Sequence, residues 1–322
     1  MTRAVAAGLG LLLALAFMAS LMLPWGAIAA LFPQDRELAW ALLVELRLPR
    51  AALAMIYGAT LGASGAAIQA LFANPLASPD LTGTTSGAAL GAVVTAYLLG
   101  FVAPIALSIG AVAGALAALG LLLALAGPRA ETATLLLSGL AISALAGALT
   151  TLALALAPSP FAFYDAYDWL LGSLVDRSLV QTAFAGVPAL IAIAWLLRLA
   201  SPLDSLALGE DVAESLGHDV LKLRLQIVCL TAFGVGACVA ICGAIGFIGL
   251  VAPIFARRLT RGHPGRAVLP AAMIGALLLT AADLATRAAP LGRALPIGVV
   301  TALLGAPFFL WLVAHMRFRL RP

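Results

Sequence analysis

Apolar runs close to twenty residues long recur along the whole of this chain, and no polar interval between them is large enough to fold by itself. A helix of ~20 apolar residues matches the hydrocarbon thickness of a bilayer. Bounded by charges and Pro/Gly clusters, ten runs can be marked, at 4–23, 48–72, 83–99, 105–126, 134–157, 179–199, 225–241, 244–256, 268–284 and 297–314. Several are short, particularly 83–99 and 244–256, and helices that do not cross fully must be buried among others. The charged share is 10%, against ~25% in soluble domains. Long Leu/Ala/Gly runs are also unlike the alternating segments of ~10 residues in a membrane β-barrel. The chain is therefore expected to be one all-α polytopic domain over residues 1–322.

Residues 2–23 carry Arg3 near their start and continue apolar, and Ala27-Ile28-Ala29 could pass for a cleavage site. The run is longer than the 7–15 residues of a signal core, which favours a retained first span. Cys229, Cys238 and Cys242 share one apolar run without a Cys-x-x-Cys or a nearby His, so they read as small buried hydrophobes. His218, His263 and His315 are scattered and form no ligand set. Glycines 58, 62, 65, 87, 91, 110, 114, 234, 236, 243, 246 and 249 lie in apolar sequence and are expected to let helices approach closely. None is followed by the Lys-Ser/Thr of a phosphate loop, and no nucleophile–base–acid set is present, so no catalytic residue is assigned.

With the N-terminus inside, twelve of the eighteen basic residues fall on the cytoplasmic side, among them Arg198, Lys222, Arg224, Arg257, Arg261 and Arg266. Arg36, Arg47, Arg50, Arg177, Arg287 and Arg293 remain outside. These are either interfacial arginines with snorkelling stems or a basic rim for an acidic partner. Asp283 stands four residues before Arg287, the spacing of a helical ion pair. The most polar segment, 201–224, interleaves Glu210, Asp211, Glu214 and Asp219 with Leu206, Leu208, Val212 and Leu216. It reads as one or two short amphipathic helices punctuated by Gly209 and Gly217. Its acidic face disfavours anionic lipid and favours a soluble cytoplasmic protein.

Several longer motifs stand in a fixed order: RLPRAALAMIYGATLGASGAAIQALFANPLASPDLTGTTSGAALG, LLLSGLAISAL, YDWLLGSL, LALGEDVAESLG, GAIGFIGLVAPIFARR and LPIGVVTALLGAPFFLWL. From about Glu45 to the C-terminus the chain resembles the FecCD, or BtuC-like, permeases of bacterial type II ABC importers, which carry iron–siderophore complexes, haem or cobalamin across the inner membrane. The resemblance implies a BtuC-like fold of about ten transmembrane helices, some short or re-entrant, with both termini cytoplasmic. It implies as partners a second permease subunit, giving a homodimer, two cytoplasmic ABC ATPase subunits and a periplasmic binding protein, with no nucleic acid. No cofactor is expected on this chain, since ATP and Mg would be held by the ATPase.

At individual positions the resemblance implies that Arg47, Arg50 and Arg287 dock the binding protein. Asn74 and Leu76 would form the cytoplasmic gate, where Asn-Pro and Ser-Pro steps turn Asn74 and Ser78 away from helical geometry. Thr132, Ser138, Ser143, Thr150, Thr151 and Ser159 would line the pathway or its ends, and PSPFAFYDAYDW would be a short re-entrant outer helix. Leu208, Gly209, Glu210, Asp211, Glu214 and Gly217 would couple to the ATPase. The sequence departs from the pattern at Ile254, where many relatives have His after the proline, and at Arg293-Ala294, where a Glu is frequent. Iron–siderophore is the expected cargo because it is the broadest group in the family. The competing class is a carrier driven by an ion gradient, for which Asp283 is the candidate acid within a span.

Overall fold

A helix that begins at Arg36 and does not end until Leu71 organises the molecule. In this computed structural model, which describes residues 3–127, 132–156, 160–288 and 295–319, every regular element is helical. The first is α1 (Arg3–Met22), followed by the short α2 (Trp25–Leu31) and α3 (Arg36–Ala41). Asp35 caps α3, accepting from the Leu38 amide at 3.0 Å. A π-helical stretch, Leu42–Arg47, then runs directly into α4 (Leu48–Leu71). Pro49 lies in the first turn of α4, and the wider turns before it accommodate a residue that cannot donate. Arg47 and Arg50, expected at the outer start of the second span, lie instead inside a continuous helix. The charges of Arg36, Glu37 and Glu45 set the sequence boundary too late, because the intervening residues are good helix formers.

The remaining elements are α5 (Thr84–Val93), continued by a π-helical Val94–Leu98, then α6 (Pro104–Ala126), α7 (Thr132–Ala155), α8 (Pro160–Leu170) and α9 (Leu179–Arg198). After these come α10 (Ala200–Leu206), α11 (Glu210–Ser215), α12 (Val220–Cys242), α13 (Ile248–Leu259), α14 (Pro264–Ala288) and α15 (Ile297–Arg319). Among the described residues, seven helical segments are long and apolar enough to cross a membrane, and Thr84–Leu98 and Ile297–Trp311 are shorter apolar helices. With α13, these elements correspond to the ten apolar runs. Inner and outer denote the ends that the charge bias assigns to cytoplasm and exterior.

Close backbone approach holds the core. A Cβ at Gly58 or Gly62 of α4 would run into the carbonyls of Gly275 or Ala271 of α14, and one at Gly65 into Gly249 of α13. Gly87 and Gly91 of α5 meet Gly114 and Gly110 of α6 in the same way. Such small-residue seams replace the hydrophobic effect, which has little force between helices already in lipid. Gly246 is different, since its nearest neighbour is the Asp80 carboxylate and it forms no helix seam. Cys238 and Cys242 are buried as expected, whereas Cys229 is exposed on α12.

The short α13 explains how the fold makes an interior. The linker after α12 leaves the helix at Gly243, whose carbonyl accepts from the Tyr57 hydroxyl of α4 at 3.1 Å. Then α13 starts beside Gly65, in the inner half of α4, and its twelve residues rise only ~18 Å. Similarly, α5 begins after the loop that follows α4, and Thr84–Leu98 is too short to cross unaided. Backbone at membrane depth is therefore enclosed by protein, as non-helical backbone there requires.

Candidate functional site: gate loop, outer cluster and inner coupling element

The loop 72–83 joins α4 to α5 and is built from the residues that break the helix. Ala73 takes a left-handed φ of 46°. Asn74 is buried, donates its amide to the Gln69 carbonyl at 3.1 Å and accepts the Leu76 amide on Oδ1 at 2.9 Å. Its side chain thus forms an Asx-type turn that mimics backbone. Leu76 is half-buried. Gln69 reaches across to the Leu250 carbonyl of α13 at 3.2 Å, so the end of α4 and this loop are tied to α13.

Asp80 is the residue in this loop whose role is not apparent from the sequence. Its Oδ1 accepts from Thr85 Oγ1 at 2.8 Å and its Oδ2 from the Phe247 amide at 3.0 Å, while its backbone carbonyl accepts from Ser143 Oγ at 3.2 Å. One side chain therefore joins the loop to α5 and to the entry of α13, and its backbone adds α7. Asp80 stands in the sequence only as part of a turn motif. Its partners are 5, 63 and 167 residues away.

On α7, Ser143 is half-buried and bonded to the loop, whereas Thr150 and Thr151 donate to the Ala146 and Gly147 carbonyls of their own helix. Ser138 is half-buried. Thr132 begins α7. Ser159 lies outside the described residues, as do Arg129 and Arg293. The exposed side of α7 is mainly leucine, including Leu137, Leu140, Leu149 and Leu152. Between α5, α6 and α7 lies an almost wholly apolar groove of about 690 Å³ lined by Leu90, Val94, Ile109, Leu121 and Leu145.

At the outer end, Asp283 of α14 is 1% exposed and lies between two arginines. Arg50 Nε bonds one oxygen at 2.8 Å, and Arg287 Nη2 forms a close contact with the other. Arg50 also reaches Thr286 Oγ1 at 3.3 Å. Arg287 then donates to the Ser20 carbonyl at 2.6 Å and the Leu23 carbonyl at 3.3 Å, and to Ser20 Oγ at 3.0 Å. Arg47 donates to the Leu21, Met22 and Pro24 carbonyls at 2.9–3.0 Å. Two guanidinium groups thus cap the end of α1, whose last carbonyls have no partner within the helix. The i,i+4 pair of Asp283 and Arg287 is present as the spacing suggests. The three arginines are joined to the fold rather than free in solvent.

At the inner end, α10 packs against α14 through buried Leu203 and Leu206, and α11 follows it with a largely exposed surface. Gly209 and Gly217 take φ of 111° and 85°, which permits the two sharp turns. Glu210 pairs with Arg224 of α12 at 2.6 Å and fixes α11 against the next span. Asp211 and Glu214 are exposed, and Leu208, Val212 and Leu216 present an uncovered apolar edge. Asp204 of α10 accepts the Gly265 amide at 2.8 Å and so caps α14. Among the described residues, no group of three or more His, Cys, Asp or Glu could hold a metal ion.

The model of the FecCD transport family matches residues 6–315. The vitamin B12 import system permease protein BtuC of Vibrio cholerae is 38% identical over 294 residues, covering 87% of this chain and 84% of that protein. The Fe(3+) dicitrate transport system permease protein FecD of Escherichia coli is 38% identical over 297 residues, covering 91% of each. A solved inward-facing structure of a metal-chelate type ABC transporter superposes with a TM-score of 0.85 at 31% identity, over 98% of this chain and 100% of that one. The PsaBC complex of Streptococcus pneumoniae, at TM-score 0.55 and 18% identity, shares the fold.

Proposed function

Because this chain belongs to the FecCD transport family, we propose that it forms the membrane passage of an importer for a ferric chelate or a corrinoid, with iron–siderophore as the first cargo to test. It is a multi-pass permease subunit and does no covalent chemistry itself. The observation that carries the proposal is the exposed surface of the α10–α11 element. An amphipathic hairpin with exposed Leu208, Val212 and Leu216 and exposed Asp211 and Glu214 suits the groove of a soluble partner. That partner is an ATPase, which binds the ATP and Mg. In this proposal the basic face and both termini are cytoplasmic, as the charge bias favours.

Asn74 and Leu76 belong to the inner gate, and Ser138 and Ser143 face the pathway. Thr150 and Thr151 contribute less, because their hydroxyls already bond their own helix. A second copy of the chain completes the passage, covering the leucine side of α7. At the outer end, Arg47, Arg50 and Arg287 surround one acid, so the cluster keeps a net charge of about +2 and draws an acidic binding protein by its field. The ion-driven alternative loses its candidate, since Asp283 is already paired with two arginines.

Affinity purification of the chain from its host in mild detergent, followed by mass spectrometry, tests the assembly. Recovery of an ABC ATPase in equal amount is the expected result. A chain that emerges alone, under conditions that preserve other membrane complexes, would overturn the proposal. For docking, Arg47→Glu with Arg50→Glu should abolish stimulation of ATPase turnover by loaded binding protein, and full stimulation would remove that assignment.

A further inference from the structure

Asp204 and Asp80, each accepting a backbone amide, lie at opposite ends of one short route. Asp204 belongs to α10, beside the coupling hairpin, and Asp80 belongs to the loop that carries Asn74 and Leu76. Between them run only the start of α14, one tight turn and α13. We propose that α13 is the strut that transmits movement of α10 to the gate loop, with Asp204 and Asp80 as its two joints. This rests on the preceding assignment of α10–α11 to an ATPase and of the loop to the gate.

The inner joint is close-packed. Asp204 Oδ1 accepts the Gly265 amide at 2.8 Å, and a Cβ at Gly265 would collide with the Ala200 carbonyl, so α10 rests directly on the first turn of α14. The turn between α13 and α14 has little slack. Thr260 is buried, and its hydroxyl stands 3.1–3.3 Å from the carbonyls of Ala256, Arg257 and His263. Gly262 donates its amide back to the Arg257 carbonyl at 2.9 Å. A displacement of α10 is therefore passed to α13 rather than absorbed.

The gate joint is fixed by three contacts. Phe247, the residue before α13, is held at a left-handed φ of 66°, a conformation that a bulky side chain adopts only where its surroundings enforce it. Its amide donates to Asp80, and its carbonyl accepts the amides of Leu250 and Val251 in the first turn of α13. Gly249 lies against Pro79 of the gate loop, where a Cβ would stand 2.9 Å from the proline ring. Asp80 then passes the connection to α5 through Thr85 and to α7 through Ser143. Both joints are hydrogen bonds to backbone amides, so they can carry a push or a pull without fixing side-chain identity elsewhere on α13.

The joint at Asp80 makes a particular demand on chemistry. An Asn at this position can accept the Phe247 amide on its oxygen and donate to Thr85 Oγ1, because a hydroxyl is also an acceptor. A leucine can do neither. The test uses the transporter assembled with its ATPase in membrane vesicles, with Cys229→Ser to remove the exposed native thiol and Leu76→Cys as reporter. Labelling of the reporter by a membrane-impermeant maleimide is compared without nucleotide and with MgATP plus vanadate.

Asp80→Leu and Asp204→Ala should each reduce the nucleotide-dependent change in labelling by at least about fivefold, with ATPase turnover retained, while Asp80→Asn preserves it. The double variant Asp80→Leu/Asp204→Ala should lose no more than the worse single, the mark of two residues on one route. Undiminished nucleotide dependence in Asp80→Leu, or losses that multiply in the double variant, would overturn the strut. If Asp80→Leu does not fold, Asp204→Ala alone decides, since its site is at the surface, and a full response there also overturns it. A reporter that never responds to nucleotide before these changes would overturn the importer assignment, and the strut with it.

Discussion

Asp283 neutralises one of three neighbouring arginines and is the most buried member of the group. Removing its carboxylate leaves Arg50 and Arg287, 20% and 10% exposed at their side chains, without their shared acceptor. Asp283→Ala should destabilise the protein by about 3 kcal/mol, because breaking a buried pair strands the remaining charge. Asp283→Asn should cost less, since one amide oxygen still accepts. Heating in detergent followed by size-exclusion chromatography would rank the two variants, and equal midpoints would contradict the role of charge. The pairing of Asp283 with Arg287 was legible from a spacing of four. Arg50 and Ser20 were not, because they arrive from 233 and 267 residues away and only tertiary packing brings them together. Asp80 was hidden for the same reason, its partners being set by where α13 re-enters rather than by neighbouring residues.

The glycines of α4 mark its contacts with α14 and α13, and they make a prediction at the scale of the helix. Gly65→Val would push α4 from the Gly249 carbonyl, a backbone atom that cannot turn aside. A loss of about 1–3 kcal/mol is expected from such overpacking, again read by thermal midpoint, whereas Gly8→Val, which meets open space on α1, should leave the midpoint unchanged. The hairpin makes a second prediction. Glu210→Lys with Glu214→Lys breaks the pair with Arg224 and reverses the exposed acidic edge, so the ATPase should detach or turn over without transport, and co-purification in equal amount with intact coupled transport would count against this. Element existence was readable because hydropathy and Pro/Gly punctuation are local. The helix from Arg36 to Ala41 and its π-helical continuation were missed because charges near a membrane surface look like the end of a span.

For the whole molecule, the exposed leucines of α7 and those of α15, Leu303, Leu304 and Leu310, call for covering by lipid or by protein. The proposed homodimer predicts two copies of this chain per two ATPase subunits, measurable by native mass spectrometry of the detergent complex, and one copy per complex would refute it. Order of assembly follows from the outer end of α1. Arg47 leaves the ribosome some 25 residues after the carbonyls it caps, but Arg287 follows Ser20 by 267 residues. At ~5–20 residues per second, the second clasp arrives on the order of tens of seconds after the first. During biogenesis the first helix is thus tethered early and locked late. The nascent protein carries a built-in signal of completion, since α1 can settle fully only once α14 has been inserted.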